Sequence, residues 1–199
     1  MKRLGILFVS VLVLAGCQAS KPKQQVHQSN QTEQQTSHPT AASPKTIKVS
    51  VKTAISRLHQ QFNDQISLSE LSLERENGQY RYEVAGLDNT YDYEVVVDAR
   101  SGKVLHHEKA RLDHDETAGV ARKHKAIEVR RLKDLKQISA IATQKVGGGS
   151  AVKWSLEREH DQVQWEVKVR DGQQTQEVAV NAYTGKVMTV QPDDDEDDD

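Results

Sequence analysis

Two short runs of the chain alternate apolar and polar side chains with period two, the spacing of a strand that buries one face. They are Tyr80-Arg-Tyr-Glu-Val84 and Val163-Gln-Trp-Glu-Val167. Each is followed by a further alternating run, Tyr91, Tyr93, Val95 and Val97 in the first case and Val178 and Val180 in the second. Upstream of each, the apolar period lengthens to that of a helix. Ser50 is a candidate N-cap for a helix over Val51–Phe62, with Ile55, Leu58 and Phe62 on one face. A second helix is expected within Asp134–Val146. There Ile138 and Ile141 fall at the same offset from Ile55 and Leu58, and Gly147-Gly-Gly149 supplies the stop.

The two sets are copies of one unit. Leu71–Leu105 and Trp154–Met188 align without a gap at a constant offset of 83, with 16 of 35 positions identical. Internal duplication of this kind changes the domain assignment before anything else does. Each copy reads helix, strand, strand, strand, short strand, so the expected fold is α+β. It comprises two tandem small domains, each a helix packed on a three- to four-stranded antiparallel sheet. Units of about 60 residues have marginal cores, and no disulfide is available to staple them. Tyr80, Tyr82, Trp154 and Trp165 are therefore read as core side chains, and docking of the two copies would add burial.

Each copy closes on a hairpin, Val95-Val-Val-Asp-Ala-Arg-Ser-Gly-Lys-Val104 and Val178-Ala-Val-Asn-Ala-Tyr-Thr-Gly-Lys-Val187. An Asx side chain opens the turn and Gly takes the positive φ near its end. Asn181 replaces Asp98 in the second copy, and either side chain can cap the turn. A helix, a small antiparallel sheet and this closing hairpin resemble the PepSY domain, over roughly residues 46–108 and 127–190. The resemblance implies an envelope or propeptide module that binds or restrains peptidases, with no catalytic residues to carry over and no cofactor. A secreted or membrane peptidase is the partner it implies.

The N-terminal residues add an address. Lys2 and Arg3 precede a mostly apolar run, Gly5–Val13, too short to span a bilayer. Leu14-Ala15-Gly16-Cys17 then resembles a bacterial lipobox, with Cys17, the only cysteine, as the lipidated residue. Residues 1–16 are thus read as a lipoprotein signal peptide. Two or three acyl chains would anchor the protein stably to a membrane where one would not. Positions 17–45 are rich in Gln, Ser, Thr and Lys, include His27 and His38, and are read as a disordered tether. The expected location is extracytoplasmic, on the cell membrane, or on the outer membrane in a Gram-negative cell.

Charge excludes more than it suggests. The chain carries 27 Lys and Arg against 29 Asp and Glu, a net charge of −2. Seven of the acids form the terminal run from Asp193 to Asp199, within the tail 191–199 read as disordered. Without that run and the leader the chain is slightly basic, which points to no nucleic-acid partner. Residues 109–126 are read as a polar, mobile linker. His106, His107 and His114, with nearby carboxylates, are the candidates for a divalent ion, although their spacing fits no ligand motif and a solvated linker explains them as well. The basic run Arg122-Lys-His-Lys125 reads as an exposed helical face.

Ser101-Gly-Lys103 and Thr184-Gly-Lys186 lie in hairpins rather than in a phosphate loop. No G-x-S-x-G or H-E-x-x-H motif occurs, so catalysis is not expected. The duplicated acids Glu83/Glu166 and Glu94/Glu177 are the candidates for contact with a basic partner, against the simpler reading as a solvated sheet face. The functional expectation is a protein- or peptide-binding envelope lipoprotein. The alternative is a structural or metal- or ligand-binding lipoprotein without a peptidase partner.

Overall fold

The computed structural model describes residues 46–193; Cys17, the tether and positions 194–199 lie outside them. The first copy folds as α1 (Val51–Gln61), β1 (Ser67–Glu76), β2 (Gln79–Leu87), β3 (Tyr91–Asp98) and β4 (Val104–Arg111). A connection containing α2 (Val120–Lys125) leads to the second copy: α3 (Leu135–Val146), β5 (Ser150–Glu159), β6 (Gln162–Asp171), β7 (Gln174–Asn181) and β8 (Val187–Pro192). The α+β reading holds, but the two sheets are one. All eight strands form a single antiparallel sheet of order β4-β3-β2-β1-β5-β6-β7-β8.

The join is β1 against β5, with Leu71 opposite Leu156, Ser72 opposite Ser155 and Leu73 opposite Trp154. Ser72 and Ser155 are also equivalent positions of the duplication. A residue paired with its own repeat copy lies on a pseudo-twofold axis, so the copies meet as two subunits of an isologous dimer would. One hydrophobic core runs across the join, from Ile55 and Leu58 through Leu71, Tyr82 and Val95 to Trp154, Trp165 and Val180.

Local chemistry sets each element. Ser50 caps α1 by accepting from the Thr53 amide at 3.1 Å, and Asp134 caps α3 by accepting from the Gln137 amide at 2.9 Å. Gly147, at φ 91°, ends α3 in the left-handed conformation. The closing hairpins are built alike: Asp98 Oδ1 accepts from the Ser101 amide, Asn181 Oδ1 from the Thr184 amide. The first hairpin of each copy turns on two residues of positive φ, Asn77-Gly78 in one and His160-Asp161 in the other. Only the former is the residue pair such a tight turn favours.

The helices are not placed by the offset that the sheets obey. The two N-caps, Ser50 and Asp134, are 84 apart. So are the amides of Val49 and Lys133, which donate to the equivalent carbonyls of Ala99 and Ala182. Leu58 therefore corresponds to Ala142, not to Ile141, and the buried face of α3 is Ile138, Ser139, Ala142 and Thr143. The shift explains two exchanges of volume across the helix–sheet contact. Leu58 lies over Gly86, where an added Cβ would meet Leu58 Cδ2 at 2.7 Å and Ile66 Cγ2 at 2.6 Å; the second copy has Ala142 and Val169 in those places. Ile55 and Leu71 are answered by Ser139 and Trp154, whose indole N–H donates to Ser139 Oγ at 3.0 Å.

The stretch read as a linker is folded. β4 extends to Arg111, and Leu112 and Ala121 bury Leu87 in a small second cluster. Arg122 donates to Ser67 Oγ, Arg158 to the Ala126 carbonyl, and the Ile127 amide to the Leu68 carbonyl. The terminal region is likewise ordered as far as Asp193, whose carboxylate meets Lys168 Nζ at 2.9 Å.

Two measurements check this account. Leu58→Ala should cost about 2–5 kcal/mol, and Gly86→Ala should also destabilise. The double variant should lose about 1 kcal/mol less than the sum in denaturant titrations, because the truncated helix residue relieves one of the close contacts of the new methyl, while those with Ile66 and the Ser67 carbonyl remain. Replacing His160-Asp161 with Asn-Gly should raise the melting temperature by about 2–4 °C, since Asn and Gly tolerate the left-handed backbone of this turn better than His and Asp do.

Candidate functional site

Successive strand residues point to opposite faces, so the face away from the core collects the polar half of every alternation. Glu83, Glu94 and Glu108 lie there in the first copy, with Glu94 directly opposite Glu108 in the β3–β4 ladder. Like charges so placed repel. Burial pushes the Glu94 carboxyl up to about 7, helped by the charges of Glu83 and Glu108 and by a hydrogen bond with Glu83. Glu166 is raised in the same direction, first by burial and then by Glu177, Glu157 and Glu159. The four acids singled out in the sequence thus form two clusters about the pseudo-twofold axis. Three strand spacings, roughly 14 Å, separate Glu83 from Glu166. The copies differ in detail: Gln191 stands at the position of Glu108 and donates to Glu177 at 2.8 Å.

The histidines are not brought together. His106 and His107 are neighbours on one strand and face opposite ways; His106 lies 3.8 Å from Glu108, while the His107 ring packs edge-on to Phe62. His114 lies in the turns after β4, where its carbonyl accepts from Thr117. Among the described residues, no group of three or more His, Cys, Asp or Glu side chains could hold a metal ion.

Two features were not legible in advance. The first concerns the outermost strands, β4 and β8. Each carries a β-bulge at the same place, between Val96 and Val97 in the β3 ladder and between Ala179 and Val180 in the β7 ladder. The extra residue in each bulge is an exposed apolar one, Leu105 at 45% and its repeat equivalent Met188 at 37%. The bare Val-Leu and Val-Met dipeptides could not show this, because a bulge depends on the partner strand. The second is a groove of about 560 Å³ between the copies on the helix face, lined by the starts of α1 and α3.

The acids fix a pH dependence. Raised carboxyls stabilise the fold while protonated, and that contribution is lost as the pH rises from the ordinary range near 4.5 toward 7. Asp98 is held low chiefly by hydrogen bonds from Ser101, and Glu116 chiefly by one from Lys125, so each destabilises the fold only on further acidification. The melting temperature should be higher at pH 5 than at pH 8. Glu94→Gln should raise the value at pH 8 and flatten the difference, read by calorimetry.

The family model described as "Peptidase propeptide and YPEB domain" (PepSY) matches residues 48–108 and 134–191, together more than half of the chain. No curated protein matches the sequence. Among solved structures, a protein described as "a putative lipoprotein (CD1622) from Clostridium difficile 630" is similar, with a TM-score of 0.68 and 25% identity. The match covers 74% of this chain and 95% of that one. Its span across both repeats extends the likeness beyond a single copy. With the helix-on-sheet unit and its closing hairpin present twice, the chain belongs to the PepSY family and carries two copies of the domain in tandem.

Proposed function

We propose that the protein is a non-catalytic lipoprotein of the cell envelope that binds protein segments and restrains an extracytoplasmic peptidase. Cys17 is the lipidated residue in this reading and the membrane the site of anchoring. The lipobox-like run before Cys17 supports it, as does the description of the similar clostridial protein. No helix among the described residues is long and apolar enough to cross a membrane, which leaves anchoring to the N-terminal segment in this reading. The peptidase follows from the family's description rather than from any group on the surface.

The observation that carries the binding role is the pair of sheet edges. A free edge offers unpaired N–H and C=O groups, on which an extended segment can add a strand. Charged residues usually guard such edges, and β4 does carry His106, Glu108 and Lys109. Yet each edge also presents an exposed apolar residue at the same bulge, Leu105 or Met188, which suits a partner's side-chain pocket. The acidic face next to them would favour basic residues on that partner.

The test is a titration of a thermolysin-type metallopeptidase with a soluble fragment from Ser37 to Asp199, which contains all of the described residues 46–193. Removing one repeat would expose the shared core, so edge substitutions are the better probe. Saturable inhibition should weaken about tenfold or more in Leu105→Lys/Met188→Lys, with an unchanged melting temperature. Full peptidase activity at micromolar excess of the intact, folded fragment would remove the peptidase from the proposal.

A further inference from the structure

The groove between the copies has a built asymmetry of chemistry. Its floor and walls are apolar: Val49, Val51, Tyr82, Val129, Leu132 and Leu135. Four lysines surround it, Lys48 and Lys52 from the first copy and Lys133 and Lys136 from the second. None of the four has an ion-pair partner among the described residues, where other cations do, as Lys125 with Glu116 and Lys153 with Glu74. Asp134 is the one acid in the lining, and its carboxylate is already engaged in capping α3. The groove therefore presents about three uncompensated positive charges around an apolar bed. Its volume of about 560 Å³ lies within the common range of ligand clefts, roughly 300–1,000 Å³.

The symmetry places the charges. Val49, Ser50, Val51 and Lys52 correspond through the helix offset to Lys133, Asp134, Leu135 and Lys136, so the groove straddles the pseudo-twofold axis. Positive charge consequently stands on both sides of the apolar floor. A lipid headgroup concentrates its negative charge at one end of the hydrocarbon and would meet one lysine pair. A peptide with acidic residues on both sides of an aliphatic side chain meets both pairs at once. The chain's own terminal acids lack an aliphatic residue beyond Asp193, and Asp193 itself is held beside Lys168 and Thr175 on β6 and β7.

We infer that this groove is a second binding surface, for an extended segment of a partner protein in which Asp or Glu flanks an aliphatic side chain. It lies on the helix face, apart from the sheet edges, and stands whether or not a peptidase is the partner. Aliphatic burial supplies the attraction, while the lysines select the sign of the flanking charge and make binding weaken with salt.

The probe is a fluorescein-labelled synthetic peptide, Glu-Asp-Leu-Ile-Asp-Glu, titrated with the Ser37–Asp199 fragment and followed by anisotropy. Binding should saturate, and should fall about tenfold or more when Leu-Ile becomes Ser-Ser or when the acids become lysines. In the fragment, Lys48→Glu/Lys136→Glu, at two exposed lysines of the lining, should cause a loss of similar size without lowering the melting temperature, and Leu132→Ser should weaken binding without affecting the salt dependence. Equal affinity of the wild-type and Lys48→Glu/Lys136→Glu fragments would overturn the assignment. So would lysine-dependent binding to phosphatidylglycerol vesicles with no affinity for the peptide, which would make the occupant a lipid. A fragment ending at Asp193 that bound the peptide far more tightly would show that the chain's own tail holds the groove, and would overturn the choice of an external partner.

Discussion

Everything in this fold depends on the antiparallel pairing of β1 with β5. A helix on four strands, at about 60 residues, buries too little surface to be secure, and each copy alone would also expose β1 or β5 as a bare edge. Pairing those two strands removes both weaknesses. It merges two marginal cores into one, and it turns four sheet edges into two. Because Ser72 meets Ser155, its own repeat copy, a single register satisfies both halves. A slip by one residue would turn Trp154 and Leu156, and the core face of the second copy with them, to the side opposite Leu71 and Leu73, so the register is strongly specified.

The duplication then diverged by exchange rather than by erosion. Where the first copy fills the helix–sheet contact from the helix, with Leu58 over Gly86, the second has the larger residue on the sheet, with buried Val169 and buried Ala142 at the equivalent positions. In the second copy Trp154 is paired with Ser139 where the first copy has Leu71 and Ile55, and the serine satisfies the indole N–H that the larger ring brings with it. Dense interiors explain why such changes come in pairs: a methylene added on one side has to be withdrawn on the other. The polar positions were freer to drift. Gln191 in place of Glu108 relieves the charge crowding that lifts Glu94 in the first copy.

The sequence disclosed what is local. Period-two runs located the strands, Ser50 and Asp134 the helix starts, and the Asx-to-Gly turns the closing hairpins, because each signal and its physical cause lie within a few residues. Non-local pairing left weaker traces. Nothing in Leu71–Leu73 indicates Leu156–Trp154 as its partner, so two docked domains were expected where one sheet exists. The helix shift to 84 was masked by Ile141, which continues an apolar period that the buried Ala142 carries less visibly. The segment 109–126 looked like solvated linker because its two anchors, Leu112 and Ala121, are isolated among charges. For the site, the acids could be named, since alternation assigned them a face. The lysines of the groove could not, because Lys48 and Lys133 become neighbours of one cavity only after the strands join.

The same join sets how the surfaces are counted. Features remote from the pseudo-twofold axis occur twice: the edge strands, their bulges with Leu105 and Met188, and the acidic clusters around Glu83 and Glu166. A feature on the axis occurs once and draws on both copies, as the groove does with Lys52 and Lys136. Two weak edge contacts on one rigid sheet can act together on a partner with two suitable segments, with a gain set by geometry rather than by new contacts. Charge is also divided between the faces, acidic on the open side of the sheet and basic at the groove, so segments of opposite charge would be directed to different faces. A single copy would have two free edges of its own but no groove. The duplicated domain thus acquires, at the axis, a surface that neither copy possesses.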